Sequence, residues 1–181
     1  DLTAWTRFAN SLRVKYLMRI SNKQDVAADL QAIYDEGSFI AENSQNATFD
    51  FTDGQPNNFR MANLRAGDFN LFIMSETMQD ILTETSDSRI ATFFKKVQNV
   101  DSELEYQGFL NGLDASATSI SIADYSLAGT IFREATGGLD ANFMTAAETH
   151  FLFAEAAERG LISADAQAHY ESGVQASFDY W

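Results

Sequence analysis

The chain has 181 residues, of which 45% are hydrophobic and 13% aromatic, a composition typical of a globular protein that can bury a sizeable core. Lys and Arg total 12 against 26 for Asp and Glu, so the formal charge of −14 disfavours nucleic acid and anionic lipid as partners. The absence of cysteine excludes disulfides, thiolate zinc sites and cysteine nucleophiles within these residues.

The first segment predicts a long helix with apolar side chains on more than one side. Thr3 can cap its start, and its main apolar face repeats at the helical period: Trp5, Phe8, Ala9, Leu12, Tyr16 and Ile20. A second apolar flank comprises Val14, Leu17 and Met18. Because a surface helix has a single apolar stripe, this helix is expected to contact two neighbours.

A second helix is predicted from about residue 24 to 36, with Gly37 as its stop. Its inward-facing positions are Val26, Leu30 and Ile33. Only a short link separates it from the first helix, and a link this short joins antiparallel helices. Residues 1–41 are therefore expected to form a helical pair.

Residues 42–142 predict a loop-rich excursion that contains one clear helix. Asparagine, glycine and the only proline concentrate in its first part, which has at most a short strand around Ala47–Phe51. A helix is predicted to begin at Ser75 or Glu76 and to end near residue 86. Residues 90–94 could form a strand or a helix, and the alternation at 119–122 is a weak strand signal.

Residues 143–181 predict a helical hairpin. Its first helix is expected from Phe143 to Arg159, ending at Gly160, and Ser163 is expected to cap the second. The second helix has an apolar repeat at Ala166, Tyr170, Val174, Phe178 and Trp181. Small residues at Ala154, Ala166 and Gly173, with a bulky Tyr170, are typical of tetratricopeptide-type hairpins, in which two backbones approach closely.

The predicted fold is all-α: tetratricopeptide-like helical hairpins with a long loop-rich insertion that carries little or no β structure. The whole chain, 1–181, is interpreted as one incomplete helical-repeat region. The chain begins at Asp1 rather than Met and ends inside a predicted helix, so it is interpreted as a piece of a longer protein. An exposed apolar strip is then expected, from Val14, Leu17 and Met18 or from the Phe178–Trp181 end.

Four segments occur in a characteristic order: WTRFANSLRVKYLMRIS (Trp5–Ser21), FIMSETMQDIL (Phe72–Leu82), DSRIATFF (Asp87–Phe94) and MTAAETHFLFAEAAERGLISADAQAHYESGVQASFDYW (Met144–Trp181). In this order they resemble the SusD/RagB family of Bacteroidetes outer-membrane lipoproteins. The first and last segments are the most specific, and the resemblance covers most of the chain. It would make the chain the central part of a longer family member.

The resemblance implies a surface protein that captures oligosaccharide, or in some members peptide, as a lid over a SusC-like TonB-dependent transporter. It implies a binding protein and not an enzyme. It also implies an outer-membrane, cell-surface location, through a lipid anchor that would lie outside these residues.

Saccharide recognition needs flat rings against the sugar's apolar face and planar polar groups that bond neighbouring hydroxyls. The loop around residues 55–63 has both kinds of side chain. The later loop that contains Tyr106 and Phe109 could form a second side of the site, here called the second wall. The candidate ligand-binding residues are Asn57, Asn58, Phe59, Arg60, Asn63, Tyr106 and Phe109. In the alternative interpretation, Phe59 and Phe109 only anchor their loops to the core, and the asparagines are turn residues.

The sequence contains no recognisable catalytic, cofactor or metal-binding motif. The only two histidines, His150 and His169, lack a ligand spacing and are interpreted as surface or half-buried side chains. Trp5 and Trp181 could be sugar platforms, but their spacing favours core packing. The competing function is a tetratricopeptide-like interaction scaffold that binds peptides or partner proteins in its groove.

Overall fold

The computed structural model describes residues 1–52, 56–113, 121–133 and 139–181. These are mostly helical, and their strands form only small two-stranded sheets, which confirms the predicted fold class. The helices are α1 (Leu2–Ile20), α2 (Ala27–Glu36), α3 (Ala66–Phe69), α4 (Glu76–Glu84), α5 (Ile90–Phe93), α6 (Ala146–Glu158) and α7 (Ala166–Tyr180). The strands are β1 (Ala47–Phe49), β2 (Val97–Gln98), β3 (Leu104–Glu105) and β4 (Ala141–Met144).

The chain forms two compact units. The first comprises Asp1–Phe49 and Ala141–Trp181, and the second comprises Asp50–Asp140. The expectation of a single, incomplete helical-repeat region over residues 1–181 stays a prediction. In the described parts of the chain, no helix is both long and apolar enough to cross a bilayer.

Helix α1 buries the face opposite to the one that its sequence favoured. Asp1, rather than Thr3, caps the helix, since its carboxylate accepts from the Thr3 N–H at 2.9 Å. The buried positions are Asn10, Ser11, Val14 and Met18. The larger apolar face stays largely outside: Leu2, Trp5, Tyr16 and Ile20 are exposed.

Two expectations about apolar surface are therefore corrected. Trp5 is 67% exposed, so its assignment to the core was wrong. Val14 and Met18 are buried, so they cannot form the expected exposed strip, although Phe178 at the other end is 40% exposed. The prediction that α1 has two apolar sides was correct, but the side with fewer large side chains faces the core.

The core of the first unit lies where α1, α2 and α6 meet. Leu30 and Ile33 of α2 are buried as predicted, and they pack with Val14 of α1 and Phe153 of α6. Gly37 ends α2 in the left-handed conformation, with φ of 69°, which glycine adopts at little cost. The helix itself begins at Ala27, after the buried Val26.

Strands β1 and β4 form an antiparallel ribbon that closes the first unit. Phe143 and Met144 belong to β4, so the prediction that α6 begins at Phe143 was wrong. Pairing with β1, about a hundred residues earlier, holds this stretch extended, and Thr145 then caps α6. Met144 is fully buried beside Ile40 and Ala146, which joins the ribbon to the core.

Helices α6 and α7 form the predicted hairpin, with two corrections to its details. Asp165 caps α7, because its carboxylate accepts from the Ala168 N–H at 3.0 Å; Ser163 does not. Gly173 is buried on α7, whereas Tyr170 and Phe178 are exposed. The small residue at 173 is therefore packed inside the hairpin, against the Phe151 ring, whereas the predicted bulky face points outward. The close approach of the two backbones stays a prediction.

The second unit is built around α4 and short extended bridges. Helix α4 begins at Glu76, within the predicted bounds, and Ser75 caps it by accepting from the Met78 N–H at 3.2 Å. The segment before α4 and the segment after α5 both pair with residues 127 and 128 through isolated bridges, Ile73 with Leu127 and Phe94 with Ala128. The ambiguous stretch 90–94 is largely helical, as α5. Of the weak strand candidate, residues 119 and 120 lie outside the described residues, and a 3-10 turn begins at residue 122.

Candidate ligand-binding site

The loop of residues 56–63 rests on an aromatic pair. The ring of Phe59 packs on that of Phe51, with centroids 5.5 Å apart, and the Thr52 N–H donates to the Asn57 carbonyl at 2.7 Å. Phe59 is half-buried. Its ring therefore fixes the loop, as in the anchoring interpretation, and still keeps part of its surface at the solvent.

Planar polar side chains flank Phe59 along the chain. Phe59 precedes a short 3-10 helix, Arg60–Asn63, whose turn is closed by the Ala62 N–H donating to the Phe59 carbonyl at 3.1 Å. Asn57, Arg60 and Asn63 are exposed, and Asn58 is half-buried. Amide and guanidinium groups on so short a segment can bond two neighbouring hydroxyls at once.

The second predicted wall, at residues 106–109, is tied tightly to α4. Gln79 clamps it on both sides: its amide nitrogen donates to the Tyr106 carbonyl at 2.8 Å, and its amide oxygen accepts from the Gly108 N–H at 2.6 Å. A Cβ atom at Gly108 would lie 2.6 Å from the Glu76 Cα, so only glycine fits this approach. The wall is therefore rigid against α4.

The two aromatic rings of this wall differ in their surroundings. Phe109 is half-buried against Tyr125, with centroids 5.1 Å apart in an edge-on arrangement, so it serves partly as an anchor. The ammonium of Lys96 lies 5.4 Å from the centre of the Tyr106 ring. A cation on one face of Tyr106 leaves the hydroxyl and the ring edge for a polar ligand.

Sequence reasoning missed the residues that support this wall. Gln79 sits within α4, and Ser126, which is fully buried, accepts from the Gln107 N–H at 3.0 Å. Their partners lie 29 and 19 residues away, so no local pattern could reveal them. Within the described residues, no hydrogen bond or ring contact joins the 56–63 loop to the 106–109 wall.

An ion pair fixes the turn between α4 and α5 in the same unit. Asp87 accepts from Arg89 through two guanidinium nitrogens, at 2.6 and 3.0 Å, and its side chain is only 8% exposed. The side-chain hydrogen bond from Arg89 lowers the pKa of Asp87, against the opposing effect of burial. The pair is a structural clamp on the α4–α5 turn.

A concave surface lies in the first unit, at the start of α1. This cavity of about 490 Å³ is lined by the rings of Trp5, Phe8 and Phe143, together with polar side chains such as Thr48. The ring centroids of Trp5 and Phe8 are 6.1 Å apart. Trp181, the other predicted core tryptophan, is half-buried and packs edge-on against Tyr180.

The described residues hold no group of three or more His, Cys, Asp or Glu that could bind a metal ion. His150 and His169 are half-buried, as the sequence predicted, and contact each other.

The comparisons with known proteins agree on the fold. A SusD homologue of Bacteroides vulgatus superposes with a TM-score of 0.81 and 28% identity, over 99% of this chain and 36% of that one. A chitin-binding SusD homologue of Flavobacterium johnsoniae superposes with a TM-score of 0.70 and 27% identity, over the same shares. A SusD homologue of Bacteroides fragilis, 22% identical with a TM-score of 0.81, matches 97% of this chain and 40% of its own. No curated protein matches the chain.

The chain spans about 36 to 40% of the length of these three solved relatives. A family model described as "Starch-binding associating with outer membrane" matches residues 1–181, the whole chain. The chain therefore belongs to this SusD-like family.

Proposed function

We propose that this chain is part of a cell-surface protein that captures oligosaccharide and delivers it to a SusC-like TonB-dependent transporter in the outer membrane. The observation that carries the proposal is the family match over residues 1–181, to proteins described as starch-binding and associated with the outer membrane. A relative of similar fold, from Flavobacterium johnsoniae, is described as chitin-binding. Polymers of glucose and of N-acetylglucosamine both present pyranose rings.

The geometry supports capture through the loop of residues 56–63. Phe59 is held in place by Phe51 and can cover the apolar face of a sugar ring. The exposed Asn57, Arg60 and Asn63, with the half-buried Asn58, can bond ring hydroxyls. Tyr106 and Phe109 contribute a rigid second surface, which Gln79 holds against α4.

Binding, and not catalysis, fits these groups. Amides, rings and one guanidinium supply directional hydrogen bonds and stacking, but none is a base or nucleophile matched to a proton-transfer task. The protein would sit at the cell surface through a lipid anchor outside these residues, with the transporter as its protein partner. The net charge of −14 fits a partner that is neither nucleic acid nor an anionic lipid surface.

Titration calorimetry of the chain with oligosaccharides from starch and chitin tests this proposal. We expect saturable binding to at least one series, with affinity that grows with chain length until the site is filled. Peptides of similar size provide the comparison. Saccharide binding supports the proposal, and its absence from both series contradicts it.

An interaction scaffold is the second candidate, because α1 presents an apolar stripe to the solvent. Leu2, Trp5, Tyr16 and Ile20 are exposed along one side of the helix, opposite to its buried side. A stripe of this kind suits an amphipathic helix of a partner. Tight peptide binding without saccharide binding in the same titrations would favour this candidate.

A further inference from the structure

The only two histidines of the chain meet across the α6–α7 hairpin. The Nδ1 atoms of His150 and His169 are 2.9 Å apart. Both remaining ring nitrogens also have partners. The Nε2 atom of His150 lies 3.0 Å from the Ala41 carbonyl oxygen, and that of His169 lies 3.3 Å from the Tyr34 hydroxyl. The pair thus connects α2, α6, α7 and the segment of residues 37–46 that follows α2.

These partners fix the neutral tautomer of each ring. A carbonyl oxygen only accepts, so His150 carries its hydrogen on Nε2 and presents a lone pair at Nδ1. The facing Nδ1 of His169 must then be the donor, which leaves its Nε2 to accept from the Tyr34 hydroxyl. Three hydrogen bonds therefore run in one direction, from Tyr34 through both rings to Ala41.

The surroundings bias the pair against carrying two charges. Burial, and then the neighbouring His150, lower the pKa of His169, while the carboxylate of Asp165 at the start of α7 acts in the opposite sense. On the other side, Glu42 and Asp179 line the cavity of about 480 Å³ that borders His150. On α2, the Tyr34 ring packs edge-on against His169, with centroids 5.5 Å apart.

The hydrogen-bonded series accommodates one added proton but not two. A protonated His150 donates from both nitrogens, and His169 can accept at Nδ1 if it moves its own hydrogen to Nε2, towards the Tyr34 oxygen. A second proton places N–H groups on both Nδ1 atoms. Two donors and two positive charges then face each other across 2.9 Å, so the rings must separate.

We propose that His150 and His169 form a proton-operated latch, which holds α6 and residues 37–46 against α7 and α2 at neutral pH and loosens this contact on acidification. The direction follows from linkage. The folded-state pKa of His169 lies below its unfolded value of 6.5, so its contribution to stability is complete above that value. The contribution is lost as the pH falls from 6.5 towards the folded-state pKa.

Nitrogen-15 NMR of the two imidazole rings tests the latch in the unaltered chain. Near pH 8 we expect His150 as the Nε2–H tautomer and His169 as the Nδ1–H tautomer, and on acidification we expect the His169 ring to become doubly protonated only below its ordinary pKa of 6.5. The same tautomer for both rings, or a His169 pKa at or above 6.5, would overturn the proposal.

Hydrogen exchange with a variant tests the consequence for residues 37–46. After correction for intrinsic exchange, we expect protection of the Ala41 and Gln45 amides to fall severalfold between about pH 7 and pH 5. In His169→Asn, whose amide can donate near the Nδ1 position without titrating, this fall should shrink. An equal fall in both proteins would contradict the latch. If the variant does not fold, the tautomers of the unaltered chain decide the question.

Discussion

Phe151 on α6 lies against the backbone of Gly173 on α7, so closely that a Cβ atom at Gly173 would come within 2.9 Å of the ring. A side chain at position 173 would therefore have to displace the Phe151 ring. We expect Gly173→Val to destabilise the fold by about 1–3 kcal/mol, the usual cost of overpacking, despite the better helix propensity of valine. Urea denaturation measures the change in the free energy of unfolding.

Ala168→Val is the matched control for this substitution. It adds the same branched side chain to the exposed side of α7, where no close packing opposes it. Its effect should stay within about 0.5 kcal/mol. Equal effects at the two positions would show that the valine side chain, and not the Phe151 contact, causes the loss.

The Asp87–Arg89 clamp predicts a pH dependence in acid. The pKa of Asp87 is lowered below its ordinary value of 3.8, chiefly by the hydrogen bond from Arg89. Its stabilisation is therefore complete above about pH 4 and is lost as the pH falls through the folded-state pKa. We expect Asp87→Asn to lower the melting temperature at pH 7 and to reduce the loss of stability on going to low pH.

Asp68→Asn controls for the general effect of removing a carboxylate. Asp68 pairs with Arg65 at 3.0 Å, but the Arg65 side chain is 87% exposed, so this pair contributes little. Its removal should leave the melting temperature nearly unchanged. The clamp would be refuted if Asp68→Asn and Asp87→Asn gave the same melting temperature and the same acid profile.

Helix α1 allows a direct comparison of its exposed and buried apolar sides. Trp5→Ala should change the free energy of unfolding by less than about 0.5 kcal/mol, because the indole is 67% exposed. Met18→Ala, on the buried side, should cost about 2–5 kcal/mol. Urea denaturation curves of the two variants measure both changes. A larger loss of unfolding free energy in Trp5→Ala than in Met18→Ala would show that the Trp5 side of α1 faces the core.

Local periodicity predicted the helices well and their orientation poorly. Apolar residues recur on both sides of α1, and the pattern alone gives the side with Trp5 and Tyr16 more weight. The side of α1 that faces the core is instead determined by its packing against α2 and α6. Leu30, Ile33 and Phe153 pack with the smaller side chains of Val14 and Met18. Such a choice depends on packing between distant segments, which no single-helix pattern contains.

The predicted starts of helices were wrong where pairing with a distant strand, or a competing capping residue, determines where the helix begins. Phe143 reads as helical, but pairing of β4 with β1 holds it extended. Ser163 and Asp165 are both good caps by residue type, and only the hydrogen bond to the Ala168 N–H distinguishes them. The end of α2 at Gly37 and the start of α4 beside Ser75, which depend on the residue's own backbone or the next turn, were predicted correctly.

The candidate site was predictable in its residue types and not in its support. Rings beside amides around Phe59 and Tyr106 match the saccharide recognition that the family resemblance implies, and their role in binding stays a prediction. The clamp by Gln79 and the buried Ser126 hydroxyl arise from contacts between segments far apart in the chain. A single sequence without these contacts does not separate an anchoring ring from a ligand-facing ring.

The central claim is that the 56–63 loop captures sugar, and calorimetric titration of the double variant Arg60→Ala/Asn63→Ala tests it most directly. Both side chains are exposed, so folding should be unaffected, and Asn70→Ala provides an exposed amide in the same unit as control. With the oligosaccharide that the unaltered chain binds, we predict that the double variant loses affinity by about tenfold or more, since hydrogen bonds from charged groups contribute about 1.5–3 kcal/mol. The control should bind normally. Unchanged affinity in the double variant would contradict the account.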